Sequence, residues 1–282
     1  MADQATIQLQ QALDSYDKHV GSGTRPCGTY LANTDELVGL TNPDSIVLDN
    51  ACGTAVVTEA IIRRCRRENL PLPRIYAADI KDSLTSLATY KLQSLDAGDR
   101  VTVHVTPGEK LDFPDDTFTH SITSCGFPFF ADADAGAREV LRTLKPGGIA
   151  VCTAAAHLDY FAGGMLPAQD AAKPDAEPTV NPMEGKWDSE APVGEFMRRN
   201  GFKDVKTTSH RAFYSADTHD ELNDKLLGLW WMIKPTWSDE ERKKFSAVFR
   251  EKTKEHAVEC TQWDGSPGIG WGMTFTVAYG RK

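Results

Sequence analysis

From residue 45 to about residue 155, short apolar runs of strand length alternate with longer stretches whose apolar positions recur at helical spacing. Ser45-Ile46-Val47-Leu48-Asp49 is the first run. It is rich in β-branched residues and ends in a carboxylate, and from Thr54 a helical pattern begins that Asn69-Leu70-Pro71 closes. Arg74 to Ile80 reads as a second buried strand, residues 82 to 96 as a helix, Arg100 to Val105 as a third strand and Thr119 to Cys125 as a fourth. A helix over 133 to 144 stops at the Lys-Pro-Gly-Gly run of residues 145 to 148, and Ile149 to Thr153 is a fifth strand. This alternation predicts an open parallel α/β sheet, with ligand bound at the carboxyl edge of the strands where their order reverses.

The flanks are less regular. Ile7, Leu9, Leu13, Tyr16 and Val20 mark a short amphipathic helix. Gly21, Gly23, Pro26 and Gly28 then break the chain, and Tyr30 to Leu40 suggests a second helix ending near Asn42-Pro43. Residues 163 to 192 are rich in Gly, Pro, Ala, Asp and Glu and predict a long mobile loop, either a lid or a surface insertion. A helix over Trp187 to Asn200 and a strand over Val205 to Tyr214 follow. Leu222 to Ile233 and Ser238 to Val258 have helical character. The first of these is apolar nearly all round, which suits core or the wall of a substrate pocket.

Chemistry concentrates at the ends of the first two strands. The turn Asp49-Asn50-Ala51-Cys52-Gly53-Thr54-Ala55 is built of small residues, which let a ligand approach the backbone, and the first amides of the following helix face it unpaired. A dinucleotide fingerprint would place glycines where Ala51 and Ala55 stand. The carboxylate ahead of the turn suits an ammonium or hydroxyl better than a pyrophosphate. Asp79 ends the second strand, one crossover later, where a single carboxylate can accept from both hydroxyls of a ribose.

The turn resembles the first motif of class I S-adenosylmethionine (SAM) methyltransferases, acidic-x-Gly-x-Gly-x-Gly, with alanines at two glycine positions. Leu111-Asp112-Phe113-Pro114-Asp115-Asp116-Thr117-Phe118, the later Phe127-Pro128-Phe129-Phe130, and Arg138 to Val151 around Lys145-Pro146-Gly147-Gly148 are similar to segments of ubiquinone/menaquinone-type methyltransferases. Within that group the chain looks most like small-molecule methyltransferases of fungal secondary metabolism, including those that methylate thiols. The resemblance implies a Rossmann-like, seven-stranded, mostly parallel sheet with an antiparallel last strand over Met273 to Tyr279. It also implies one domain: a helical cap over 1–43, a donor-binding core over 44–156, pocket insertions over 157–272 and the last strand over 273–282.

It implies SAM as cofactor, a small molecule as acceptor, and Tyr16, Asp49, Asn50, Ala51, Cys52, Gly53, Asp79, Ile80, Gly108, Glu109 and Ser124 as the cofactor-binding set. Thr106-Pro107 stands where the family usually has an aspartate, so adenine recognition falls to Gly108, Glu109 or Lys110. Phe127, Phe129, Tyr160, Trp230 and Trp231 are candidates for the substrate pocket, and His157, just after the fifth strand, for a catalytic base.

The net charge of -9 disfavours nucleic acid and anionic membranes as partners, and Arg63, Arg64, Arg66 and Arg67 are a local exception best read as a solvated helix face. The six cysteines form no Cys-x-x-Cys pair and no zinc spacing. No metal is expected. With no signal-peptide pattern and no apolar run of membrane-spanning length, a reduced, cytoplasmic protein is expected. Competing readings are a nicotinamide-dependent dehydrogenase, a SAM-fold protein catalysing a rearrangement without methyl transfer, and a non-catalytic partner.

Overall fold

The computed structural model describes residues 4–177, 179–181, 183–234 and 236–282. Eight strands form one sheet: β1 (Ile46–Asn50), β2 (Arg74–Asp79), β3 (Val101–Val105), β4 (Phe118–Ser124), β5 (Leu144–Leu158), β6 (Lys203–Ala216), β7 (Val258–Thr261) and β8 (Pro267–Arg281). Their order is β3-β2-β1-β4-β5-β8-β6, with β7 paired to the outer part of β8. Strands β1 to β5 run parallel, and β8 lies antiparallel between β5 and β6. The predicted mostly parallel sheet with an antiparallel last strand is therefore observed, with β7 as an eighth strand that the apolar pattern did not reveal. The four residues of β7 are mostly exposed and are held by the β8 ladder.

The order reverses between β1 and β4. Chains leaving β1 and β4 therefore part to opposite faces and open a crevice at their carboxyl ends. Helix α3 (Val56–Arg67) follows β1 and buries Val57, Ile61, Ile62 and Cys65, while α4 (Asp82–Ser94) buries Leu87, Ala88 and Leu92 after β2. Helix α5 (Ala133–Thr143) starts where Asp132 accepts the Ala135 N–H at 2.9 Å. Three arginines of α3 are ion-paired, Arg63 with Glu59 and both Arg64 and Arg67 with Glu68, while Arg66 donates to the carbonyls of Leu95 and Asp96.

Three expectations are corrected. The N-terminal segment does not break at Gly21 to Gly28. Helix α1 (Gln4–Tyr16) runs through a π-helical turn, Asp17–Gly21, into α2 (Ser22–Asn33), and turns rather than a second helix fill residues 34–45. Gly28 serves packing instead of a break. A Cβ there would meet Val56 Cγ1 at 3.2 Å, so its absence lets α2 close on the start of α3.

Residues 163–192 are not one long loop. A π-helical turn, Phe161–Met165, leads into α6 (Leu166–Ala172), which packs on α9 (Asp239–His256), and Met183 and Trp187 are buried further on. Helix α7 (Glu190–Arg199) then begins later than the helix expected from Trp187. Trp187 instead caps an aromatic group with Phe196, its ring 4.8 Å away.

Helix α8 (His219–Ile233) and α9 are capped by Thr218 and by the reciprocal Ser238–Glu241 capping box. No helix among the described residues is long and apolar enough to cross a membrane.

Candidate active site

A cleft of about 630 Å³ lies at the β1/β4 switch point. Its floor is the turn after β1, which the chain can only make by placing Ala51, Gly53 and Ala55 in the left-handed region at φ 55°, 55° and 58°. Two of these residues carry a Cβ, so the turn is held against a local preference of roughly 1 kcal/mol or more at each alanine. What holds it is a set of short bonds. Cys52 N–H donates to Ala78 O at 2.9 Å, Ala55 N–H to Cys52 O at 2.7 Å, and Gly53 N–H to Asp79 Oδ2 at 2.9 Å.

Asp79 thereby links the ends of β1 and β2. Its other oxygen accepts the Lys81 N–H at 2.9 Å, and each oxygen keeps acceptor capacity toward the cleft that it lines. Asp49 is deeper. Its Oδ2 accepts from both the N–H and the hydroxyl of Thr58, at 3.1 and 2.6 Å, which fixes the start of α3 over the strand end. Burial pushes its carboxyl up to about 6, against the Thr58 bonds and assisted by the charge of Asp79.

Tyr16, at the end of α1, lies over the floor. A Cβ on Gly53 would come within 3.5 Å of its hydroxyl. Burial first, then the Asp79 charge, raises its phenol to about 12. Carboxylates thus face a half-enclosed space in which Lys81 is the sole lysine or arginine among the described lining residues. Such a space favours a ligand with positive charge at one end and hydroxyls at the other.

The far end is apolar and small. Phe130 sits where side chains at Gly108 or Gly136 would collide with it, so glycines at both places make room for the ring. Phe129 and Ile80 stand exposed at the rim. Glu109 accepts the Ala131 N–H at 3.0 Å and lines the cleft, whereas Lys110 does not. Thr106, in the place of the usual aspartate, is buried and spends its hydroxyl on Lys110 O and the Asp112 N–H within its own turn.

The structure therefore brings together Tyr16, Asp49, Ala51, Cys52, Gly53, Asp79, Ile80, Gly108, Glu109, Ser124 and Phe129. Asn50 is buried behind them, donating to Thr123 Oγ1 at 3.3 Å across β1 and β4. Other expected residues are elsewhere. Phe127 packs in the core on Phe196, and Tyr160 is buried against Tyr214. Trp230 is fully buried with its ring stacked on Phe245, and Trp231 packs on Trp237 and Arg242. His157 lies past a register shift in the β5–β8 ladder, exposed, in a separate cavity with Asp159, Asn181 and Arg211. Residues the sequence did not single out for the cleft include Val20, Thr24, Lys81 and Leu84. Val20 continues the predicted helical register of Tyr16, whereas Thr24 joins it only because α1, the π-helical turn and α2 are continuous.

The comparisons agree with this architecture. Residues 30–163 match the model of the ubiE/COQ5 methyltransferase family. The methyltransferase tpcH of Aspergillus fumigatus is 25% identical over 214 residues, covering 72% of this chain and 73% of its own length. The acetylaranotin bis-thiomethyltransferase of Aspergillus terreus is 28% identical over 229 residues, covering 78% and 77%. Among solved structures, the [4+2]-cyclase SpnF superposes with a TM-score of 0.52 at 18% identity, over 91% of this chain and 80% of that one, a likeness of fold. The match over residues 30–163, the sheet order and the cleft at the switch point together support a SAM-dependent methyltransferase, similar over that segment to the ubiE/COQ5 family.

Proposed function

We propose that the chain transfers a methyl group from SAM to a hydroxyl, thiol or amine of a small molecule, by in-line displacement. The observation that carries this reading is the pairing of Asp49 and Asp79 across a turn with three left-handed residues, beneath Tyr16. The residues present fit the donor. Asp79 would accept from the ribose hydroxyls, and Asp49 with the small residues 51–53 would take the amino-acid end. Ile80, Gly108, Glu109 and Phe130 would enclose the base, and Ser124 and Cys125 would border the reacting end. When bound, SAM supplies an already activated methyl group on a sulfonium.

The protein's work is then chiefly alignment and exclusion of water, with little bond-making of its own. Tyr16 closes the floor from above, and the carboxylates oppose the donor's positive charge. An acceptor approaching past Phe129 meets an apolar, aromatic rim that favours a planar or apolar molecule. His157, in its separate cavity, takes no part in this reading. A thiol acceptor would need least help, since its thiolate is accessible near neutral pH. The curated relatives whose printed names include a bis-thiomethyltransferase support a small-molecule acceptor of this kind.

The test is an acceptor screen. Purified protein is incubated with SAM and panels of small thiols, phenols and amines, and mass spectrometry follows both the methylated product and S-adenosylhomocysteine. Product and S-adenosylhomocysteine forming together at equal amounts supports methyl transfer. Turnover of no acceptor, with S-adenosylhomocysteine bound tightly, would instead favour a rearrangement in the same cleft.

A further inference from the structure

Two thiols meet behind the floor of the cleft. Cys27, on α2, is fully buried, and Cys125, at the end of β4, is partly exposed and lines the cleft. Both sulfurs lie 3.5 Å from Thr153 Oγ1, which accepts from the Cys27 thiol and bridges the two cysteines. Cys125 is held in place from its backbone. Its N–H donates to Thr153 Oγ1 at 3.0 Å and to Thr153 O at 3.1 Å, and its φ is 55°, a left-handed value that a side-chain-bearing residue adopts only under local constraint. Methyl transfer uses neither sulfur.

We propose that Cys125 and Cys27 form a thiol–disulfide exchange site, in which a small organic disulfide entering the cleft is reduced and the two cysteines close to an intramolecular disulfide. Only Cys125 can meet the reagent, because Cys27 is shut behind it. The Cys125 thiolate attacks one sulfur of R–S–S–R. That S–S bond breaks, one R–S⁻ leaves and takes up a proton, and a mixed disulfide remains on Cys125. The Cys27 thiol then gives up its proton and attacks the Cys125 sulfur, and the second R–S⁻ leaves. Two protein thiols lose two electrons, and the disulfide gains them as two thiols.

The surroundings order the two steps. The neighbouring Cys27 thiol, with smaller help from Thr153 and Ser124, holds the Cys125 thiol below its usual range despite burial. The nearness of Cys125, together with burial, keeps Cys27 protonated until its partner has reacted. An attacking thiolate backed by a protonated resolving thiol is the arrangement that exchange requires. The product bond would tie α2 to the end of β4.

The test uses the reduced full-length chain carrying Cys260→Ala, which removes the partly exposed thiol outside the cleft. The probe is 4,4′-dithiodipyridine, a small uncharged aromatic disulfide. Release of thiopyridone is followed by absorbance, and acid-quenched products by intact mass and peptide mapping, with and without S-adenosylhomocysteine.

The proposal expects two thiopyridones per chain, a product free of adduct, and a Cys27–Cys125 cross-linked peptide. Adding Cys27→Ala should halve the release and leave a pyridylthio group on Cys125, and Cys125→Ala should slow the reaction at least tenfold. Cys27→Ser serves in place of Cys27→Ala if circular dichroism shows the latter unfolded. An adduct persisting on Cys125 when Cys27 is present, a cross-link to another cysteine, or an unreactive Cys125 would overturn the proposal.

S-adenosylhomocysteine should slow the reaction at least tenfold. Unslowed reaction in protein that calorimetry shows to be saturated with it contradicts the placement of Cys125 in the donor cleft. If S-adenosylhomocysteine does not bind at all, the donor reading fails while the cross-link result stands on its own.

Discussion

The cleft at the β1/β4 switch point, proposed to take the donor, and the helical layer of α8 and α9 make opposite use of the residues that usually signal a site. The cleft contains few aromatic rings but gathers carboxylates, free-facing backbone and left-handed turns around open space. The α8–α9 layer is rich in rings, with Trp230, Trp231, Trp237, Phe245 and Phe249 joined in one chain of contacts, and it has closed on itself. Aromatic density there marks core. The difference teaches that polar groups held against their solvation or conformational preference, with room left beside them, locate function better than ring count does.

Four changes would break or sharpen this contrast. The largest effect is expected in the closed layer. Trp230→Ala should destabilise the fold by about 3–5 kcal/mol through the cavity it leaves, read by denaturant unfolding. The folded fraction should bind S-adenosylhomocysteine as the parent does. Weakened binding by the folded fraction would place Trp230 in the site after all.

Next comes Asp79→Ala, which should weaken S-adenosylhomocysteine by roughly 1–3 kcal/mol through loss of charge-assisted hydrogen bonds. Unchanged affinity in a folded variant would remove Asp79 from the donor site. Asp79→Asn should fall between the two, since the amide oxygen can still accept one backbone N–H.

A smaller effect is expected from pH. Because burial raises the folded-state value of Asp49 to about 6, the free protein draws stability from its protonated form at low pH and loses that contribution as pH rises through about 6. A ligand bearing an ammonium group prefers the ionised form. Affinity for S-adenosylhomocysteine should therefore increase from pH 5 to pH 7 and level off above, and a flat calorimetric profile in the parent, or an unchanged slope in Asp49→Asn, would contradict that assignment.

The smallest effect is at the turn. Ala51→Gly should raise stability by about 0.5–1 kcal/mol, because glycine adopts the φ of 55° without the Cβ penalty. A fall in melting temperature would show that the alanine methyl contributes packing that outweighs the strain.

The sheet was legible because its strands are short apolar runs ending in functional residues at one edge. Buried parallel strands must be apolar throughout, and Val47, Leu48, Ile75, Ala77 and Ile122 satisfy that. Asp49 and Asp79 stood out as charges at the ends of such runs. Two things were not legible. Gly21 to Gly28 looked like a break because glycine and proline weaken helices locally. Their smallness instead serves close packing, and Tyr214 donates to the carbonyl of His19 at 2.7 Å where the π-helical turn leaves it available. The second was the placement of His157, Tyr160 and Trp230. Their positions depend on how β5 continues past the sheet edge and how α8 seats on the π-helical turn, where Gly228 leaves room for the His19 ring. Such contacts join residues far apart in the chain, and no local pattern encodes them.

A SAM site beneath Tyr16, as proposed, would take S-adenosylhomocysteine and refuse a nicotinamide dinucleotide. Isothermal titration of the purified protein with S-adenosylhomocysteine, and separately with NAD, tests it most directly. Saturable binding of S-adenosylhomocysteine alone, lost in Asp79→Ala, is the predicted result. Binding of NAD in preference, or binding of S-adenosylhomocysteine that is indifferent to Asp79, would contradict the account.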